Sequence, residues 1–328
     1  MSNTEIVSRT SQYVVGVDIG GTTTTIGLVD RDGHILQTEQ LATNSYQHAE
    51  TYIQDLSNVI HRVIDANVDR TAIRGIGIGA PNANYFTGKI HKASNLPWLN
   101  GIPLSVATRK LTDIPVVLNN DANAATIGEM IYGAARGMKD FILITLGTGV
   151  GSGIVSNGEL VYGKEALAGE LGHVIVRPGG RPCACGRRGC LEAYVSASAV
   201  AMSAREYLQS SRYKERSLLS LQQTSQLTAK DVYEAAMKGD ELGNRVFEEA
   251  GTILGEALAN FVAYSNPEAI ILFGGLTKAG ELLFAPMRKA MQDNLLHIYE
   301  DGVQLLCSSL PENEAAILGA AAMGWQAQ

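Results

Sequence analysis

The sequence predicts an α/β protein of two lobes facing a central cleft. Three observations carry this. Residues 13–29, YVVGVDIGGTTTTIGLV, read as strand, glycine turn, strand. Residues 140–163, DFILITLGTGVGSGIVSNGELVYG, repeat that layout in the second half of the chain. Further strands and amphipathic helices follow each unit, the alternation that builds layered α/β domains. Turn-to-turn spacing differs by about two residues between the halves, so this is a structural echo and not a strict repeat.

The elements follow in order. Val14, Val15, Val17 and Ile19 enter the first turn, and Ile26, Leu28 and Val29 leave it. DRDGHIL then turns into a third strand. Ile53, Leu56, Val59, Ile60, Val63 and Ile64 recur at helical spacing within residues 48–67. IRGIGIGAP is a buried strand ending at Pro81, and IPVVLNNDANAATIGEMIYG is a strand followed by a helix over about 122–132. Residues 197–262 are mostly helical, with Thr228 or a polar neighbour capping one helix. PEAIILFGGLTKAG is strand, double glycine, helix, and an Ala-rich helix ends the chain. The first lobe is placed at 1–118 and the second at 119–311, with helix 312–328 returning to the first.

Bulk properties narrow the class. The 328 residues are 45% hydrophobic and carry a net charge of −7, a balance that disfavours non-specific nucleic-acid binding. Residues 1–12 are polar and lack an apolar export segment, and no run of about 18 apolar residues is present, so neither export nor a membrane is expected. The expected home is a reducing cytoplasm, where clustered cysteines read as metal ligands.

Three segments carry chemistry. In DIGGTTTT, the backbone of Gly20 and Gly21 with the hydroxyls of Thr22 and Thr23 can donate to phosphate oxygens, and Asp18 can hold Mg²⁺. The second turn, with Thr148 and Gly149, offers a similar donor set, and Gly274-Gly275 gives a close-approach site for adenine or ribose. Asp121 in LNNDANAAT lies where strand becomes helix; it is either a general base aimed from a rigid frame or a helix cap. Finally, Cys183, Cys185 and Cys190 fall within eight residues, whereas tetrahedral zinc takes four ligands. Distant Cys307 sits in VQLLCSSL, which reads as a buried strand where a lone Cys behaves as a small hydrophobe.

Taken in order, DIGGT (18–22), NNDANAA (119–125), LGTGVGSGIV (146–155), AGELGH (168–173), CACGRRGCLE (183–192) and FGG (273–275) resemble the ROK family of sugar kinases and repressors, within the actin/hexokinase-like (ribonuclease H-like) superfamily. The cysteine cluster with Gly-Glu-x-Gly-His is the specific part. The resemblance implies ATP with Mg²⁺, Asp121 as catalytic base, and a hexose held by Asn120, Glu170, His173 and Glu192. It also implies a structural zinc on His173, Cys183, Cys185 and Cys190. Four protein ligands leave no open position. Asn95 in SNLPWLNG matches the family's sugar-side loop, and Asn82 replaces a glycine common in the family.

Only about a dozen residues precede the first strand, which leaves no space for a DNA-binding module and favours the kinase branch. The expected function is an ATP-dependent hexose kinase acting on the C6 hydroxyl of glucose. An N-acetylmannosamine or N-acetylglucosamine kinase, a fructokinase and a non-catalytic sugar sensor are the alternatives. The family implies a homodimer or homotetramer.

Overall fold

The computed structural model describes residues 12–327 except 94, 210, 215, 222, 300 and 301. The polar segment 1–11, on which the expectation about export rests, lies outside the described residues. Two compact units emerge: residues 12–137, 162–168 and 309–327 form one, and residues 138–161 and 169–308 the other.

The first unit begins with β1 (Tyr13–Ile19), β2 (Thr23–Asp30) and β3 (Ile35–Ala42), followed by α1 (Ala49–Asp65), β4 (Ile73–Gly79), α2 (Leu104–Thr112), β5 (Val116–Asn119) and α3 (Asp121–Ile131). The sheet order is β3-β2-β1-β4-β5, with β1, β4 and β5 parallel. Strand alternation sorts the two faces. Val15, Val17, Ile19, Ile76 and Ile78 bury against the apolar stripe of α1. Val14 and Val29 face the other way, onto Ile317 and Ala321 of the C-terminal helix, Ala315–Gly324.

Glycine decides how closely that helix approaches. A Cβ on Gly77 would lie 1.9 Å from the carbonyl oxygen of Ala320, and one on Gly16 2.5 Å from that of Ile317. The same helix receives α3, where a Cβ on Gly128 would meet the Cα of Gly319 at 2.8 Å. This packing corrects the expected boundary at 118. Helix α3 belongs to the first unit because its small residues dock on the returning C-terminal segment, and the division falls at 137–138. Residues 162–168 also return to the first unit: Asn84 Nδ2 donates to the Glu165 carbonyl at 2.6 Å, and Tyr85 stacks on Tyr162 at 4.2 Å.

The second unit repeats the topology with β6 (Phe141–Leu146), β7 (Val150–Ser156), β8 (Glu159–Leu160), α4 (Glu192–Val195), α5 (Ala197–Tyr207), α6 (Ala229–Met237), α7 (Glu241–Ser265), β9 (Ala269–Phe273), α8 (Glu281–Asn294) and β10 (Gln304–Cys307). Its sheet order is β8-β7-β6-β9-β10. Thr228 caps α6 in a full capping box with Asp231. Cys307 corrects a second expectation: among the described residues β10 pairs with β9 alone, at the sheet edge, and the thiol is exposed and not buried.

Candidate active site

In the first unit the site grows from one lateral row. Asp18 pairs with Gly79, and Gly79 with Asn119, at the carboxyl ends of three parallel strands. That is where open α/β sheets place ligands, because the chain turns there into loops and helix N-termini. Burial, with the charge of Asp121 beside it, pushes the Asp18 carboxyl up to about 6. Immediately past the row, Asn120 caps α3 by accepting the Asn123 N–H at 2.7 Å. The cap is therefore Asn120, and Asp121 is the exposed first residue of the helix, accepting the adjacent Ala122 N–H at 2.9 Å.

Asn119 is buried beneath this turn. Its Oδ1 accepts from the Asn120 N–H and from Asn123 Nδ2, while its own Nδ2 donates to the Tyr162 hydroxyl at 3.3 Å. These supports were not singled out in sequence, where the run of three Asn gives no sign of which one points inward.

The glycine turn has a division of labour. The Gly20 N–H is taken by the Thr23 carbonyl at 3.0 Å and is closed to a ligand. Among the described residues the N–H groups of Gly21 and Thr22 meet no protein acceptor. Asn95 packs on this turn, since a Cβ on Gly21 would lie 2.9 Å from its side chain. Behind it, Thr24 is fixed by buried hydroxyl contacts of 2.8 Å to Thr43 and Tyr52.

Asn82 has φ +53°, the left-handed region where glycine is favoured, and its amide donates to the Lys92 carbonyl at 3.3 Å. The side chain holds its own loop. Asn82→Gly is expected to leave thermal stability within about 1 kcal/mol of the parent, because relief at this φ offsets the lost hydrogen bond. A thermal melt checks this; a larger loss would make the Lys92 contact a principal brace.

In the second unit the turn after β6 is pinned from α4 and α5. Ala197 N–H donates to the Gly147 carbonyl at 2.8 Å, Ser198 Oγ to that of Thr148 at 2.9 Å, and Val150 N–H to Glu192 Oε2 at 2.9 Å. The N–H groups of Thr148 and Gly149 have no protein acceptor among the described residues. Beside this turn lies a cavity of about 620 Å³, with Thr148, Tyr233, Gly275 and Leu276 in its walls and Lys230 and Lys278 at its lining. Gly274 has φ +110° and sits over Leu146, where a Cβ would be 2.6 Å from the carbonyl oxygen. Lys230, Tyr233 and Lys278 carry no motif and emerge only from packing.

His173, Cys183, Cys185 and Cys190 place one ligand atom each within 4.8 Å of one another. Cys185 Sγ and Cys190 Sγ are 3.6 Å apart, as are Cys183 Sγ and His173 Nδ1. Metal–ligand bonds of about 2.3 Å to sulfur and 2.05 Å to nitrogen give tetrahedral edges of about 3.8 and 3.6 Å, so the four atoms fit zinc. A disulfide would need about 2.05 Å. Glu170 and His173 bracket one turn of 3₁₀ helix, Leu171–His173, in which residues three apart lie on the same side. Gly172 makes this possible, since a Cβ there would be 2.2 Å from the Val150 carbonyl oxygen.

Matching five-stranded sheets, each opening on a glycine-turn hairpin, with Asp18 at the strand ends of the first, define the actin/hexokinase-like α/β class. Within that class the chain belongs to the ROK family, whose sequence profile matches residues 14–327. It is 37% identical to a glucokinase of Halalkalibacterium halodurans over 96% of this chain and 94% of that one. It is 36% identical to a glucokinase of Thermotoga maritima over 94% of this chain and 96% of that one. The structure of a ROK family glucokinase from Streptomyces griseus in complex with glucose and AMPPNP superposes with a TM-score of 0.75 at 34% identity, covering 96% of this chain and 99% of that chain.

Proposed function

We infer that this chain is an ATP-dependent glucokinase that transfers the γ-phosphoryl group to the C6 hydroxyl of glucose. The observation that carries it is Asp121: an exposed carboxylate on a rigid strand-to-helix turn, with capping left to Asn120, in a chain that matches glucokinases along nearly its whole length. Asp121 takes the proton of the sugar hydroxyl as the C6 oxygen bonds to the γ-phosphorus and the bond to the β–γ bridging oxygen breaks, leaving ADP. Asn95, Asn120, Glu170, His173 and Glu192 hold ring hydroxyls, and Asn82 shapes the loop beside them. Gly21, Thr22 and Thr23 and the turn at Thr148 and Gly149 supply donors to phosphate, with Gly20 shaping the first turn. Gly274 and Gly275 allow the nucleoside to approach, and the cavity by Tyr233 and Leu276 suits a flat base.

Asp18 is the residue for Mg²⁺, which neutralises phosphate charge when bound. Its burial next to a second carboxylate is a cost that a divalent cation relieves. Zinc, when bound, supplies only structure, and His173 Nδ1 on the cysteine side leaves Nε2 for a hydroxyl. We place the enzyme in the cytoplasm as a homodimer or homotetramer acting on small molecules without nucleic acid. Among the described residues no helix is long and apolar enough to cross a membrane.

A coupled assay with ATP across glucose, mannose, fructose, N-acetylglucosamine and N-acetylmannosamine tests the function. Highest kcat/KM on glucose is expected, and turnover on none of them would overturn the kinase reading. Asp18 gives a second expected result. The folded carboxyl keeps its proton to about pH 6, whereas an unfolded one releases it at 3.8, so stability falls as pH rises between these values and is level above. Asp18→Asn removes that penalty. It is expected to gain about 1–2 kcal/mol at pH 7.5 while losing most turnover, as urea titration and the coupled assay would show. A destabilised Asp18→Asn would mean that the buried carboxylate is compensated elsewhere.

A further inference from the structure

Glu192 does more in this structure than its place beside the cysteine cluster requires. It lies two residues past Cys190 and opens α4. One carboxylate oxygen, Oε2, accepts the Val150 N–H at 2.9 Å. That N–H is the first past the turn that carries Thr148 and Gly149. The other oxygen, Oε1, lies 3.7 Å from Cys183 Sγ. Gly149 has no side chain to spare: a Cβ there would stand 2.5 Å from Glu192 Oε2. Glycine at 149 is thus required by the carboxylate as much as by any ligand. Immediately downstream, Ala197 and Ser198 hold the carbonyls of Gly147 and Thr148, and Gly147, Thr148 and Ala197 all line the 620 Å³ cavity. A continuous run of short contacts therefore joins the Cys/His cluster to the nucleotide side of the second unit.

We propose that Glu192 is a positioning residue for the phosphate-binding turn, and that through it the metal cluster sets nucleotide affinity as well as sugar affinity. The physical basis is orientation. The unpaired N–H groups of Thr148 and Gly149 can donate to phosphate only if the turn is held with them outward, and the Val150 N–H bond to a carboxylate is the strongest of its three pins. The position of that carboxylate is set in turn by Cys183 and Cys190 on either side of the loop, whose spacing the metal fixes. A carboxylate has about four acceptor positions, so Glu192 can keep the Val150 bond while also receiving a sugar hydroxyl. Sugar and nucleotide then share one ligand-holding group, and each should raise the affinity of the other by the same factor.

This inference rests on the nucleotide-binding reading above, and the test separates the two. Binding of AMPPNP is measured by calorimetry without sugar, for the parent and Glu192→Gln, each as metal-loaded protein and after chelation, with metal content and circular dichroism recorded. In the parent, chelation is expected to weaken AMPPNP about tenfold, the scale of one charged hydrogen bond. Loaded Glu192→Gln should keep its metal, bind AMPPNP about tenfold more weakly than the parent, and lose no more than about twofold further on chelation. Gly149→Ala, which displaces the carboxylate without removing it, should resemble Glu192→Gln in the loaded state. Should chelation unfold the parent, the two loaded variants still decide the matter. AMPPNP affinity equal to the parent in both loaded variants overturns the proposal while leaving the kinase reading intact. A chelation loss that is the same size in Glu192→Gln as in the parent overturns the coupling. No AMPPNP binding to loaded parent overturns both.

Discussion

Asp121→Asn is expected to lower kcat by about 10²–10⁴-fold while changing glucose affinity by no more than about threefold. The substitution is nearly isosteric. Helix α3 keeps its cap, because that bond belongs to Asn120, and the amide oxygen at 121 can still accept the Ala122 N–H. What disappears is the group we propose as acceptor for the hydroxyl proton. A second signature is specific to this geometry. The charge of Asp121 is one of the two causes that raise Asp18 to about 6, so in the metal-free protein the variant should move the Asp18 titration below pH 6. The coupled assay measures the first effect, and an NMR pH titration of the metal-free protein the second. Undiminished kcat would show that another group takes the proton, and a normal kcat with weak glucose binding would reduce Asp121 to a sugar ligand.

The second large effect lies away from the chemistry. Gly77→Ala is expected to destabilise the protein by about 3 kcal/mol or more, whereas Gly79→Ala in the same strand should cost less than about 1 kcal/mol. Both add one methyl group to β4. At Gly77 that carbon would stand 1.9 Å from the backbone oxygen of Ala320, which cannot yield without lifting the C-terminal helix; at Gly79 it would meet the Ala124 methyl at an ordinary 3.5 Å. Lifting that helix also undermines α3, which docks on it through Gly128 and Gly319 and carries Asp121 at its first position. Urea unfolding of the two variants measures the contrast. Comparable stabilities would mean that the sheet and helix are not in the tight contact described, and a folded Gly77→Ala should still show reduced kcat.

Local sequence pattern reached far into this molecule. The alternation of Val14, Val15, Val17 and Ile19, the glycine turns, the stripe on α1 and the capping Thr228 follow from periods and dihedral needs confined to a few residues, and each appears where expected. Cys307 shows where local reading fails. An apolar strand reads the same whether it is central or at an edge, and only the pairing order decides which. The boundary at 118 failed for a related reason. Nothing in DANAATIGEMI tells which sheet the helix will cover; the partner is a segment nearly two hundred residues later, matched to it by small side chains.

Spacing along the chain is enough to read the α/β class, the doubled hairpin and the order of motifs. Packing settles which Asn caps α3, which N–H groups of each turn stay open among the described residues, and that the carboxylate of Glu192 occupies the space left by Gly149. Those are questions of which polar group finds which partner. Hydrogen bonds and close approaches act over about 3 Å in space, between residues that the chain separates by any distance at all.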